Sequence, residues 1–168
     1  MTVEQLARRA RILSWISLGW MAAEGAVAIF AGVLAGSIAL VGFGLDSVIE
    51  GVASGVIVWR FAAARIHSEA AERRAQQLVA LQFFLLAPYV AFESVRALAE
   101  AHRPETTVLG IALAATSAIG MPLLGAAKTR LAGQLGSPAT RGEGRQNVLC
   151  GMLAGALLVG LAGNALAG

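Results

Sequence analysis

The chain has a single cysteine, Cys150. One thiol excludes an intramolecular disulfide, and it excludes a zinc finger of the CxxC type, which needs paired thiols at close spacing. Charge is scarce as well. Only 14% of the 168 residues are Asp, Glu, Lys or Arg, about half of the share usual in a soluble domain. There are two histidines, His67 and His102, and neither lies in an apolar segment. No nucleophile is paired with a base, so the sequence does not read as an enzyme. The formal net charge of +3 is modest, and the basic residues sit at segment ends rather than on a patch or stripe. That excludes a nucleic-acid-binding surface of the usual kind.

What is present is apolar. Residues of hydrophobic type make up 57% of the chain, and there are 20 glycines. This is the composition of closely packed membrane helices, in which small residues let backbones approach. Five apolar segments each have the length to cross a bilayer as a helix: about 12–35, 37–59, 78–99, 106–127 and 146–167. The first is too long for the core of a signal peptide and lacks a cleavage site, so it reads as a retained helix. The sequence therefore predicts an all-α integral membrane bundle, a single transmembrane domain over 1–168 with five spans and no soluble domain. The turn at Gly36 is minimal and predicts a tight hairpin of the first two spans. Longer basic loops are expected at 60–77 and 128–145, and a short polar one at 100–105, where Pro104 favours a new helix start.

The basic residues orient this bundle. Arg8, Arg9, Arg11, Arg60, Arg65, Arg73, Arg74, Lys128, Arg130, Arg141 and Arg145 fall on one side, and only Arg96 and Arg103 on the other. The positive-inside rule then places the N-terminus in the cytoplasm and, with an odd number of spans, Gly168 outside. Gly32 and Gly36, Gly51 and Gly55, and Gly151 and Gly155 have small-xxx-small spacing, which serves a close helix contact in general or a dimer face in particular. Pro88 and Pro122 lie inside the third and fourth spans and are expected to kink them.

Two acids stand inside the second apolar segment. Asp46 and Glu50 are four residues apart and share a helical face. A charge at bilayer depth costs about 3 kcal/mol or more, so a pair there asks for a cation, a partner or a water-filled cavity. Two carboxylates supply hard oxygen ligands but leave a tetrahedral site incomplete. The fifth segment offers Gln146 and Cys150, again at i and i+4. Oxygen and sulfur together favour zinc or a similar borderline metal over magnesium or calcium. Without a metal the two acids repel and one holds a proton. Metal entry would then expel the proton, and reprotonation the metal. The alternatives are a structural acid pair bonded to neutral donors, Cys150 as a small core residue, and Gln146 as a helix-starting residue. Glu24, midway along the first span, and Glu93, near the end of the third, are accessory proton carriers or metal relays, or else structural partners of an Arg or a hydroxyl. His67 and His102 read as loop residues, His67 at the cytoplasmic mouth beside the solvated Glu69, Glu72, Arg73 and Arg74.

The run from Ala35 to Glu50, with Gly36-Ser37-Ile-Ala-Leu40 followed by Asp46-x-x-x-Glu50, resembles the second transmembrane helix of the cation diffusion facilitators. These are metal–proton antiporters that export zinc and related divalent ions. That helix typically carries Gly-Ser-x-Ala-Leu and then Asp-x-x-x-Asp, and here the second acid is Glu50. In the family a fifth helix typically brings His-x-x-x-Asp; Gln146 stands where that His would be and Cys150 where that Asp would be. The chain is most similar to the short bacterial branch without a cytoplasmic metal-binding domain. The resemblance covers helices one to five, and the family plan has six. It implies a multi-pass protein of the bacterial inner membrane and a homodimer. It also implies proton-coupled efflux of a divalent cation, zinc foremost, by alternating access at a site between helices two and five, with no prosthetic group. The alternative within the same fold is a metal-binding membrane protein or subunit that does not translocate its ion.

Overall fold

In a computed structural model the described residues are 2–99 and 108–167, and they are helical with no strand among them. Helix α1 runs Val3–Ala35, α2 Ile38–Arg60, α3 Glu69–Ala99, α4 Val108–Leu135 and α5 Pro138–Ala167, with a single 3-10 turn at Ala63–Arg65 before α3. Four stretches are long and apolar enough to cross a membrane: Val3–Leu34, Leu40–Arg60, Glu69–Phe92 and Val108–Leu135. Helix α5 holds the apolar segment expected at 146–167 behind a polar first half with Arg141, Glu143, Arg145, Gln146 and Asn147. The five expected spans are thus five helices, four of which are, among the described residues, long and apolar enough to cross a membrane.

The expected loops are also shorter than the sequence implied. The α2–α3 connection occupies 61–68, and α4 and α5 are joined by Gly136 and Ser137 alone. The charged residues of 128–145 ride on helices that simply continue. Both hairpins turn by the same device. Gly36 has φ 63° and Gly136 φ 62°, the left-handed conformation that ends a helix without a Cβ penalty. The following amides close the turn, Ser37 N–H to Gly32 O at 2.8 Å and Ser137 N–H to Ala132 O at 3.1 Å. Each serine hydroxyl then caps the next helix, accepting from Leu40 N–H and Thr140 N–H respectively. At the start of α1, Thr2 and Gln5 form a reciprocal capping box.

The two hairpins are related in sequence by a shift of 100 residues. Ser17, Met21, Gly25, Gly36, Ser37, Gly42, Gly44, Val48, Gly51 and Gly55 recur as Ser117, Met121, Gly125, Gly136, Ser137, Gly142, Gly144, Val148, Gly151 and Gly155. The glycine crossings recur in space too. A Cβ on Gly44 would lie 2.8 Å from Ile29 N, and one on Gly125 would lie 2.5 Å from Gly144 O, so each hairpin depends on backbone-to-backbone contact. The helices of the two hairpins run antiparallel to their counterparts. Ser17 meets Lys128 while Glu24 meets Ser117, and Leu40 and Phe43 cluster with Ala154 while Ile57 clusters with Ala139. The bundle is therefore an inverted repeat with a pseudo-two-fold axis across it, and α3 packs outside it against α2 and α5.

Polarity is turned inside out relative to a water-soluble fold. Phe30, Leu34, Phe84, Phe92, Leu123 and Met152 are exposed, while Lys128, Glu50, Glu143, Gln146 and Asn147 are among the largest fully buried side chains. An apolar exterior of this extent matches a lipid environment. Following the helix register from the arginine-rich end, the interior passes through four layers. An apolar cluster including Ala10, Ile57, Phe61, Leu131 and Ala139 comes first. A charged layer of Lys128 and Glu143 follows, and then the acids of α2 with Met21, Met121 and Cys150. Ala28, Leu40, Phe43 and Ala154 close the Gly36 end.

Candidate functional site

Asp46 and Glu50 lie on the inner face of α2, 5% and 1% exposed. Ile49, between them on the outer arc, gives its carbonyl to the Gln82 amide of α3. Across the axis α5 presents Gln146 and Cys150, 1% and 0% exposed. The shift of 100 residues pairs Asp46 with Gln146 and Glu50 with Cys150, so the four candidate groups are repeat equivalents gathered at the pseudo-two-fold axis. All four predicted residues of the second and fifth helices therefore share one interior. Cys150 sits beside Glu50, but no well-formed hydrogen bond joins them.

The hydrogen bonding there is incomplete. Asp46 Oδ1, both Glu50 oxygens, and both amide atoms of Gln146 are buried without a partner, as are Ser54 Oγ and Gln82 Oε1. Native interiors leave few such atoms, and each costs about 1–3 kcal/mol, more when the group is charged. Here they fall on α2 from Asp46 to Ser54, on α3 at Gln82 and on α5 at Gln146. The carboxylates also repel one another and Glu24 through a low-dielectric interior. Such a cluster is suited to receiving a positive charge with oxygen ligands. The donors on offer are two carboxylates, an amide oxygen and a thiol. Among the described residues no three His, Cys, Asp or Glu side chains converge as a metal-binding group; an ion held here would draw on the amide oxygen of Gln146.

Glu24 is differently placed. Its two oxygens accept from Ser47, at 3.0 Å, and from Ser117, whose hydroxyl in turn accepts from Trp20 Nε1 at 3.1 Å. It is held by hydroxyls, one of the two arrangements open to it in the sequence. Glu93 belongs to α3, and its side chain lies outside the described residues, as does the whole of His102. His67 is exposed at the arginine-rich end, 3.4 Å from Glu4. Glu72 is no solvated turn residue. It bonds Arg60 at 2.7 Å and accepts from the Ser137 hydroxyl and the Ala139 amide, tying the ends of α2, α3 and α5 together.

Several interior polar residues escaped the sequence reading: Lys128, Glu143, Ser17, Asn147, Ser117 and Gln82. Lys128 was counted among loop cations, yet it is wholly buried, its ammonium 2.6 Å from Glu143 and 2.7 Å from Ser17. Its sequence neighbours Arg130, Arg141 and Arg145 gave the segment the look of a loop. The signal that would have found the group is the repeat, which sets Lys128 opposite Ala28 and Glu143 opposite Phe43. Compared by sequence and by fold, the chain matches no family model, no curated protein and no solved structure.

Proposed function

We propose that the chain is a divalent-cation transporter, zinc foremost, that exchanges its ion for protons at the site between α2 and α5. One observation carries this reading: the oxygens of Asp46 and Glu50 on α2 and of Gln146 on α5 are all buried and unpartnered. A cation replaces the missing hydrogen bonds and cancels the repulsion, and protons do the same when it leaves. In this reading α5 crosses the membrane with the other four helices, with Glu143, Gln146 and Asn147 buried in the bundle and Arg141 and Arg145 exposed toward its arginine-rich end. The N-terminus lies in the cytoplasm, the protein resides in a bacterial inner membrane, and it works as a homodimer. The inverted repeat supports alternating access, since one state is converted to the other when the two hairpins exchange shapes.

A second reading is a metal-binding membrane protein that does not move its ion. The apolar layer at the Gly36 end and the charged layer at the other side close the site from both directions, which favours retention. Zinc flux into proteoliposomes, measured for the parent and for Asp46→Ala, decides between them. Flux that the substitution abolishes is the expected result. Zinc binding without flux in the parent would leave only the second reading, and neither binding nor flux would refute both.

A further inference from the structure

The Lys128–Glu143 pair is complete in itself. The ammonium reaches Glu143 Oε1 and Ser17 Oγ, Glu143 Oε2 accepts from Ser14 at 2.9 Å, and Ser17 also accepts from Asn147 at 3.1 Å. Its counterpart in the other half of the repeat is Ala28 against Phe43, both buried in an apolar cluster. The hairpin architecture therefore does not require a charge pair at this crossing. A buried ion pair is seldom worth more than well-packed apolar groups of the same volume, so packing alone gives no reason for it.

The neighbouring layer supplies one. Glu50 has both oxygens unpartnered, and by helix register its layer is the next one along the interior from Lys128. Met21, Met121 and Cys150 share the layer of the acids, and methionine yields readily to a moving neighbour. A lysine carries its charge on a flexible four-carbon stem. We propose that Lys128 is a tethered cation that exchanges between Glu143 and Glu50 and so competes with the ion bound between α2 and α5. With the site loaded, repulsion from the ion holds Lys128 on Glu143. With the site empty, the ammonium can leave Glu143 for Glu50, although Glu143 stays its principal partner.

The competition with zinc rests on the cation site proposed above, whereas the exchange of partners does not, so two measurements separate them. The first is thermal unfolding of metal-free protein in detergent. Glu50→Gln alone raises the midpoint or leaves it unchanged, because it removes an unpartnered acid. On a Glu143→Gln background the same Glu50→Gln change lowers it, because Glu50 is then the partner of Lys128. The second is zinc affinity by calorimetry. Glu143→Gln weakens zinc binding roughly tenfold or more, as it frees Lys128 to occupy Glu50, and Lys128→Met combined with Glu143→Gln restores the parent value. If Glu50→Gln has the same sign in both backgrounds, the exchange is refuted even when zinc binds. If the sign reverses but no variant binds zinc, the tethered cation stands and the metal site falls. A Glu143→Gln affinity within twofold of the parent, or no recovery in the double variant, overturns the competition.

Discussion

Replacing both acids by their amides, Asp46→Asn with Glu50→Gln, should make the metal-free protein more stable while removing its response to zinc. Three of the carboxylate oxygens involved are buried without partners. An unsatisfied buried group costs about 1–3 kcal/mol, and more when charged, so neutralising two of them should return about 3 kcal/mol. A proton already shared by the pair moves the gain to the lower part of that range. For a chain of this size, 1 kcal/mol shifts the midpoint by roughly 2–4 °C, which gives a rise of roughly 6–12 °C. The parent should gain about 2.7 kcal/mol when zinc is present at about a hundredfold over its dissociation constant, and the double variant nothing. Differential scanning fluorimetry in detergent, with chelator and then with buffered zinc, reads both quantities. The order of stability should invert between the two conditions. If the double variant unfolds earlier than the parent in chelator, the acids are already well satisfied in the fold, and the reasoning from their missing partners is wrong.

Other substitutions probe the scaffold. Gly125→Leu should prevent the close α4–α5 crossing, since even a Cβ there would stand 2.5 Å from Gly144 O; overpacking of this kind costs about 1–3 kcal/mol, read as a lower midpoint or loss of folded yield on size-exclusion chromatography. Gly36→Ala and Gly136→Ala should each cost about 1–2 kcal/mol, and by nearly equal amounts if the two turns are true equivalents; a cost at only one of them would contradict the repeat. Glu72→Ala should cost about 1–3 kcal/mol of stability, read as a lower unfolding midpoint, because it removes the acceptor for Arg60, Ser137 and the Ala139 amide together, whereas Glu69→Ala nearby should be close to neutral.

Apolar length and the turn at Gly36 were enough to place the end of α1 and both ends of α2, though α1 begins at Val3, well before the expected start near 12, and the depth of Asp46 and Glu50 could be read from the hydrophobic residues around them. The ends of the later helices were not legible in the same way. A window of hydropathy stops where charge begins, but a helix does not, provided that the charge finds a partner inside the bundle. Lys128 meets Glu143 fifteen positions along the chain and across a turn, a pairing that no local signal reports. The same blindness shortened α5, whose Glu143, Gln146 and Asn147 face the interior, and it put Glu72 in solvent although its acceptors serve two other helices. Gln146 and Cys150 stand out by their spacing, and the shift of 100 residues makes them the counterparts of Asp46 and Glu50.

Joining two like hairpins in one polypeptide has a chemical consequence. A dimer of identical hairpins would be obliged to place its residues at the axis in duplicate, giving four carboxylates or none at the level of Asp46. A continuous chain escapes that obligation. One half keeps the acids while the other offers an amide and a thiol, and a lysine and a glutamate stand in one half where the other has alanine and phenylalanine. The charge at the centre of the bundle can thus be set in single units rather than in pairs.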